Sequence, residues 1–140
     1  MNACDAVVIG AGPAGAIAAR QLALAGATVA LIDRARFPRD KVCGGFLNRA
    51  AIELLNVLGL GAPSDALLTD SLRLHAGAHE ATLLVDGAAV SRRTFDMTLI
   101  EHAIAAGVRF LPETHALLGP IEGDWRRVGS LRSRIVLVAD

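Results

Sequence analysis

The sequence has no excess of charge of either sign: 14 basic residues are offset by 14 acidic ones. Chains that grip nucleic acid or an anionic bilayer through their overall field carry surplus Lys and Arg, so neither partner is indicated. Cysteine is scarce. Cys4 and Cys43 are the only two, and they form no CxxC pair and no metal-ligand spacing. That excludes a dithiol redox motif and a zinc site, and it fits reduced thiols in a cytoplasmic protein. His75, His79, His102 and His115 are scattered, so no metal site is expected. No uninterrupted apolar run is long enough to span a bilayer: the N-terminal stretch is punctuated by glycines and broken at Arg20 and Gln21. Asp5 stands where a signal peptide would carry positive charge. Internal repeats and low-complexity segments are also missing. What remains is 140 residues, 53% apolar and 20% charged, enough for one globular domain with a real core.

What is present is concentrated in one stretch, from Ala6 to Asp33. An apolar run, Ala6 to Ile9, predicts a buried strand. Gly10-x-Gly12-x-x-Gly15 follows, and Pro13 and Ala14 open a helix that continues to about Leu24. Gly26 closes the helix, Thr28 to Ile32 predicts a second strand, and Asp33 ends it. Each glycine has a physical task in such a unit. Gly10 allows the sharp turn, Gly12 lets backbone approach a pyrophosphate, and Gly15 lets the helix pack closely on the strand. The helix start offers free N–H groups and the positive end of its dipole to that pyrophosphate. Asp33 lies 18 residues past Gly15, close to the spacing of roughly 20 at which a carboxylate takes ribose hydroxyls. An acid there repels a 2′-phosphate, so the unit reads as a dinucleotide site that disfavours NADP.

Beyond Asp33 comes a basic, irregular loop containing Arg34, Arg36, Arg39 and Lys41 and ending in Cys43-Gly44-Gly45, with Arg49 soon after. A dinucleotide's phosphates would lie near its start. A second helix is expected over about Asn48 to Leu58, with Asn48 as N-cap and Leu47, Ala51, Leu54, Leu55 and Leu58 as a buried stripe. Ser71–Ala76 and Glu80–Val85 predict two short strands with a turn at Gly77, and Asp86-Gly87 predicts another turn. Leu72 and Leu74 alternate as if one face were buried. Val90-Ser-Arg-Arg leads to a third helix, about Phe95 to Ala106, with Thr94 as N-cap and Phe95, Leu99, Ile100, Ala103 and Ile104 buried. Val108 to Leu111 is expected as a parallel-type strand and Thr114 to Val128 as a polar hairpin turning near Gly123-Asp124. Ile135 to Ala139 is expected as a last buried strand.

Three segments carry a family resemblance. Phe37-Pro-Arg-Asp-Lys-Val-Cys-Gly-Gly45 is similar to an FPRxKxCGG motif. Val90-Ser-Arg92-x-x-Phe95-Asp96-x-x-Leu99 is similar to VxRxxFDxxL, and Ile135-Val-Leu-Val-Ala-Asp140 to the strand leading into an Asp-Gly motif. With the opening fingerprint, they resemble the N-terminal part of FAD-dependent oxidoreductases of the glutathione-reductase-like fold. The narrower group contains aromatic hydroxylases, flavin-dependent halogenases and geranylgeranyl reductases. Cys43-Gly-Gly points toward the reductases, and the Gly-Glu-Ser usual in halogenases is missing.

The resemblance implies an α/β fold: a Rossmann-like FAD/NAD(P)-binding domain with a parallel sheet and a β-hairpin insertion, incomplete relative to the family. The sheet would join the strands near residues 6, 28, 108 and 135. The whole chain, 1–140, would be the FAD-binding domain, and 70–86 a fragment of a substrate-side sheet. Gly10, Gly12, Pro13, Ala14, Gly15 and Asp33 would hold the adenosine end of FAD. Arg34, Lys41, Cys43 and Gly44 would follow the pyrophosphate and ribityl chain, and Arg92 would contact the cofactor. NAD(P)H would be the external reductant, and the substrate of the complete enzyme a prenyl, aromatic or polyketide-like small molecule. Family members are usually more than twice as long, so a C-terminal half is an expected partner. No catalytic residue is nameable. Two other readings stay open: an NAD-binding dehydrogenase domain, and a non-catalytic nucleotide-binding remnant.

Overall fold

The computed structural model describes residues 2–139; Asp140, expected to begin the Asp-Gly motif, lies outside the described residues. The elements run β1 (Asn2–Ile9), α1 (Pro13–Leu24), β2 (Val29–Ile32), β3 (Phe46–Asn48), α2 (Arg49–Val57), β4 (Leu67–Ala76), β5 (His79–Ala89), α3 (Arg92–Ala105), β6 (Arg109–Leu111), β7 (Leu118–Glu122), β8 (Trp125–Val128) and β9 (Leu131–Val138). The chain divides into two units. Residues 2–39 and 96–139 form the first, and the intervening Asp40–Phe95 form the second.

The first unit is a six-stranded sheet in the order β6-β2-β1-β9-β8-β7. Its heart is parallel: β2 and β9 flank β1, and β6 pairs with β2. This is the expected Rossmann-like sheet, in which buried strands read as short apolar runs. Val7, Val8, Ala30, Leu31 and Ile32 are buried, as are Leu99, Ile100 and Ala103 of α3. The polar hairpin of β7 and β8 continues the same sheet, antiparallel to β9 through Val128↔Leu131 and Arg126↔Ser133.

Several expectations about this unit are corrected. β1 begins at Asn2, not Ala6, because β9 pairs with it from Asn2↔Leu131 onward and carries polar residues into the ladder. The end of β9 is not buried: Val138 is 70% exposed, and Ile135 and Leu137 are also open. α3 starts at Arg92, so Thr94 lies within the helix and is not its N-cap; the Phe95 N–H donates to the Ser91 carbonyl at 2.8 Å. Ile104, expected in the buried stripe, is exposed.

The second unit is a three-stranded antiparallel sheet, β3-β5-β4, with α2 beside it. The Asn48 side chain caps α2 by accepting from the Ala51 N–H at 2.9 Å. Of the α2 stripe, Leu55 alone is fully buried, whereas Leu54 is 54% exposed. The Asp86-Gly87 turn does not form. β5 continues through it, with a register shift against β4 between Thr69 and Ser71, and pairs Gly87 with both Asn48 and Thr69. The glycine serves close approach here, since a Cβ at Gly87 would strike the Leu47 carbonyl oxygen and the Phe46 ring. β3 itself was not expected. Leu72 and Leu74 are exposed along with Leu83, which pairs with Leu72, so the alternation marks an apolar face without a covering layer in this unit.

Candidate functional site

The turn between β1 and α1 uses its three glycines for three different reasons. Gly10 holds φ +100°, a conformation that side chains disfavour, while its N–H donates to the Ile32 carbonyl at 2.8 Å. Gly15 lies where a Cβ would overlap the Gly10 carbonyl oxygen and come within 3.4 Å of the Ala139 Cβ. Gly12 is under neither constraint. Its backbone is ordinary and extended (φ −71°, ψ −178°), and a Cβ there would meet no protein atom within 4 Å. Gly12 is also the N-cap of α1, with no side-chain cap and no acidic residue in the first turn, and Pro13 follows at the helix start. Among the described residues no side chain caps this helix start, and the first-turn donors at Ala14 and Gly15 make an arrangement suited to an anion.

Asp33 closes this turn from the end of β2. It is 5% exposed, yet its carboxylate is bonded on both oxygens. Oδ2 accepts from the Ala11 N–H at 2.8 Å and Oδ1 from the Ala35 N–H at 2.8 Å. The Arg39 guanidinium stands 3.6 Å from Oδ1 and lies 4.8 Å from the centroid of the Phe37 ring. Phe37 meets Phe110 edge to face at 5.5 Å. A carboxylate has about four acceptor positions, so two amide bonds leave capacity for hydroxyl donors. Asp33→Asn removes this arrangement at constant size. An amide cannot accept from both N–H groups and leaves Arg39 without its counter-charge. Such charge-assisted bonds contribute about 1.5–3 kcal/mol. A drop in urea stability of about 2 kcal/mol is expected, and an unchanged midpoint would contradict it.

Asp33 and Arg34 line an open cleft of about 180 Å³ with Ile9, Gly10, Ile32, Thr114, His115 and Ala116. The cleft sits at the carboxyl ends of β1 and β2, where open α/β sheets receive ligands. Thr114, His115 and Ala116 were not singled out from sequence. Their one signal is position, just past β6 in the same sheet. The Thr114 N–H donates to the Asp33 carbonyl at 2.9 Å and the Glu113 N–H to Ala35 at 3.2 Å. Glu113 is held at φ +51°, the one non-glycine residue with positive φ among those described. Arg39 was likewise passed over as one basic loop residue among several.

The remaining candidates belong to the second unit. Lys41, Cys43 and Gly44 are exposed, and the Cys43 sulfur accepts from the Gly45 N–H at 3.5 Å. Gly44, like Gly12, has open space where a Cβ would stand. Gly45 holds φ +61° against the β5–α3 connection, and its carbonyl accepts from the Val90 N–H at 2.7 Å. Arg92 is half-buried in the first turn of α3, and its neighbour Arg93 pairs with Asp40 at 3.2 Å. The two sequence motifs therefore meet inside this unit through Gly45–Val90 and Asp40–Arg93. Among the described residues, no three His, Cys, Asp or Glu side chains converge on a metal-sized site, and no helix is long and apolar enough to cross a membrane.

Comparison with known proteins agrees with this geometry. The family described as "FAD binding domain" matches residues 3–116. Menaquinone reductase of Mycobacterium tuberculosis is 53% identical over 60 residues, 43% of this chain and 15% of that protein. Digeranylgeranylglycerophospholipid reductase 1 of Methanopyrus kandleri is 31% identical over an alignment of 152 positions, 97% of this chain and 39% of that one. The chain thus spans less than two-fifths of the length of either. Among solved structures, a geranylgeranyl bacteriochlorophyll reductase-like protein from Thermoplasma acidophilum superposes with a TM-score of 0.84 at 22% identity, over all of this chain and 40% of that one.

Proposed function

Because the chain belongs to the FAD binding domain family, we propose that it is the FAD-binding portion of an oxidoreductase that reduces a lipid-soluble, prenyl-bearing acceptor. The observation that carries the cofactor assignment is Gly12: a glycine that neither conformation nor packing demands, standing open at an uncapped helix start. The preference for a reductase over a hydroxylase or halogenase rests on the Cys43-Gly44-Gly45 segment and on relatives named for menaquinone and for a prenylated phospholipid.

Bound FAD would supply two-electron redox chemistry, with NAD(P)H as external reductant. The chain's own part is binding and orientation. The amides of Ala14 and Gly15 take pyrophosphate oxygens, and Gly12 allows the approach. Asp33, fixed by Ala11, Ala35 and Arg39, accepts from ribose hydroxyls, and its charge selects against a 2′-phosphate. Arg34 adds positive charge at the cleft. For Lys41, Cys43, Gly44 and Arg92 the support is the motif resemblance.

Titration of the purified chain with FAD tests this reading. Saturable quenching of flavin fluorescence is expected, with a stabilisation of about 2.7 kcal/mol once FAD reaches 100 times its dissociation constant. Protein that stays colourless after incubation with FAD, with no thermal shift, would overturn it. A shift with NAD alone would assign a dehydrogenase domain. A flavin-loaded chain that NADH, NADPH and dithionite all fail to reduce would mark a non-catalytic remnant.

A further inference from the structure

The arginines that follow Asp33 are not equivalent. Arg34 and Arg36 are exposed. The Arg39 side chain is 21% exposed and turns back toward the carboxylate. Its Nε is buried with no hydrogen-bond partner among the described residues. Its distance of 3.6 Å from Oδ1 is too long for a hydrogen bond. Taking a guanidinium out of water costs stability unless something offsets it, and an unsatisfied buried donor adds to the cost. An apolar side chain of similar length would cover the Phe37 ring without either cost. What distinguishes arginine at this position is its charge.

That charge is held in place from outside its own loop. The guanidinium lies over the Phe37 ring, and Phe37 in turn meets Phe110 edge to face. Phe110 belongs to β6, where it pairs with Leu31, two positions before Asp33. The same strand receives the Asp33 backbone, whose N–H donates to the Leu111 carbonyl at 3.1 Å. β6 thus fixes both partners, the carboxylate through the backbone and the cation through two rings. Asp33 lines the cleft and Arg39 does not. Arg39 therefore stands behind the group that a ligand would meet.

The separation decides what the cation can do. An arginine hydrogen-bonded to Asp33 would occupy acceptor positions on the carboxylate. Arg39 supplies a field and leaves those positions open. The Ala11 and Ala35 amides use two of about four, so two remain, one for each hydroxyl of a ribose diol. When a ligand displaces water from the cleft, the carboxylate loses hydration, and a fixed opposite charge offsets that loss. We propose that Arg39 is a positioning residue that sets how strongly Asp33 distinguishes a ribose diol from a deoxygenated sugar. This role rests on the FAD reading above and adds a specificity determinant to it: Asp33 touches the ligand, and Arg39 acts through Asp33.

Calorimetric titration of the chain with ADP and with 2′,3′-dideoxy-ADP provides the test. The two ligands share adenine and both phosphates and differ only in the diol. Hydrogen bonds to a charged acceptor should give the parent chain a preference for ADP of about tenfold or more. Arg39→Met keeps the length and the contact with Phe37 and should lower that preference about fivefold, the upper end for a pair this little exposed. Any general attraction of Arg39 for phosphate affects both ligands and cancels in the ratio. Arg39→Lys keeps the charge and should lie nearer the parent; circular dichroism checks the fold of each variant. A parental or larger preference in Arg39→Met would overturn the proposal, as would a lysine variant that falls as far as the methionine one. A parent chain that binds FAD but takes ADP and its dideoxy analogue alike would overturn it and leave the cofactor reading standing. A chain that binds neither FAD nor ADP fails the cofactor reading and takes this role with it.

Discussion

A Gly12→Ala protein should fold like its parent and lose most of its affinity for FAD. The added methyl group enters space that no protein atom occupies, and the extended backbone at this position suits any residue. Alanine is a poorer N-cap than glycine, so stability in urea should fall by about 1 kcal/mol or less. If a pyrophosphate approaches the backbone there, the same methyl group meets it. Overpacking costs about 1–3 kcal/mol, which converts to roughly 5- to 150-fold weaker binding. Flavin titration read beside urea denaturation separates the two effects. Undiminished affinity would show that no phosphate comes close to Gly12.

Gly15→Ala should have the opposite profile, failing as a fold before it can fail as a site. The new Cβ would fall on the Gly10 carbonyl oxygen, a backbone atom with no rotamer through which to escape. The oxygen is anchored because Gly10 itself donates to Ile32 in the neighbouring strand. Relief requires α1 to lift from β1, opening the contact around Ala16 and Ala19, both fully buried. A cost of about 3 kcal/mol or more is expected, a large part of the 5–15 kcal/mol typical of a domain. The variant should be largely insoluble or unfold at a much lower urea concentration. A parental unfolding curve would mean that the strand–helix distance is not set at this residue.

The β1–α1–β2 unit was readable because every cue in it is local: apolar runs, glycine spacing and a terminal acid follow one another in order. The turns at Gly77, Gly107 and Gly123 were readable for the same reason. Features decided by a distant strand were not. β9 draws Asn2 and its neighbours into β1, and β3 and β4 hold Gly87 in a ladder where the Asp86-Gly87 dipeptide by itself favours a turn. Apolar patterning states a preference for burial without naming what does the burying. Leu72, Leu74 and the end of β9 therefore read as core and stand exposed. The site divides in the same way. The glycines and Asp33 were visible in sequence, but Arg39 gains meaning only through its distance to Asp33, and Thr114 to Ala116 are about 80 positions later in the chain. Net charge, a sum over the chain, concealed where the arginines lie.

The strand order carries a consequence for how the protein is made. β1 is central in its sheet, but one of its two partners, β9, follows it in the chain only after the whole of the second unit and most of the first. Until β9 arrives, β1 can pair only with β2, and its other edge keeps a row of unsatisfied amides and carbonyls. The whole of Asp40–Phe95 must emerge and organise in that interval. Pairings so distant in sequence close slowly, because the entropy of the long loop is lost before the contacts form. The nascent chain thus has an apolar, open-edged strand until β9 emerges, the condition under which partly folded chains aggregate. The strand that begins the dinucleotide fingerprint is the one that waits longest for its neighbours.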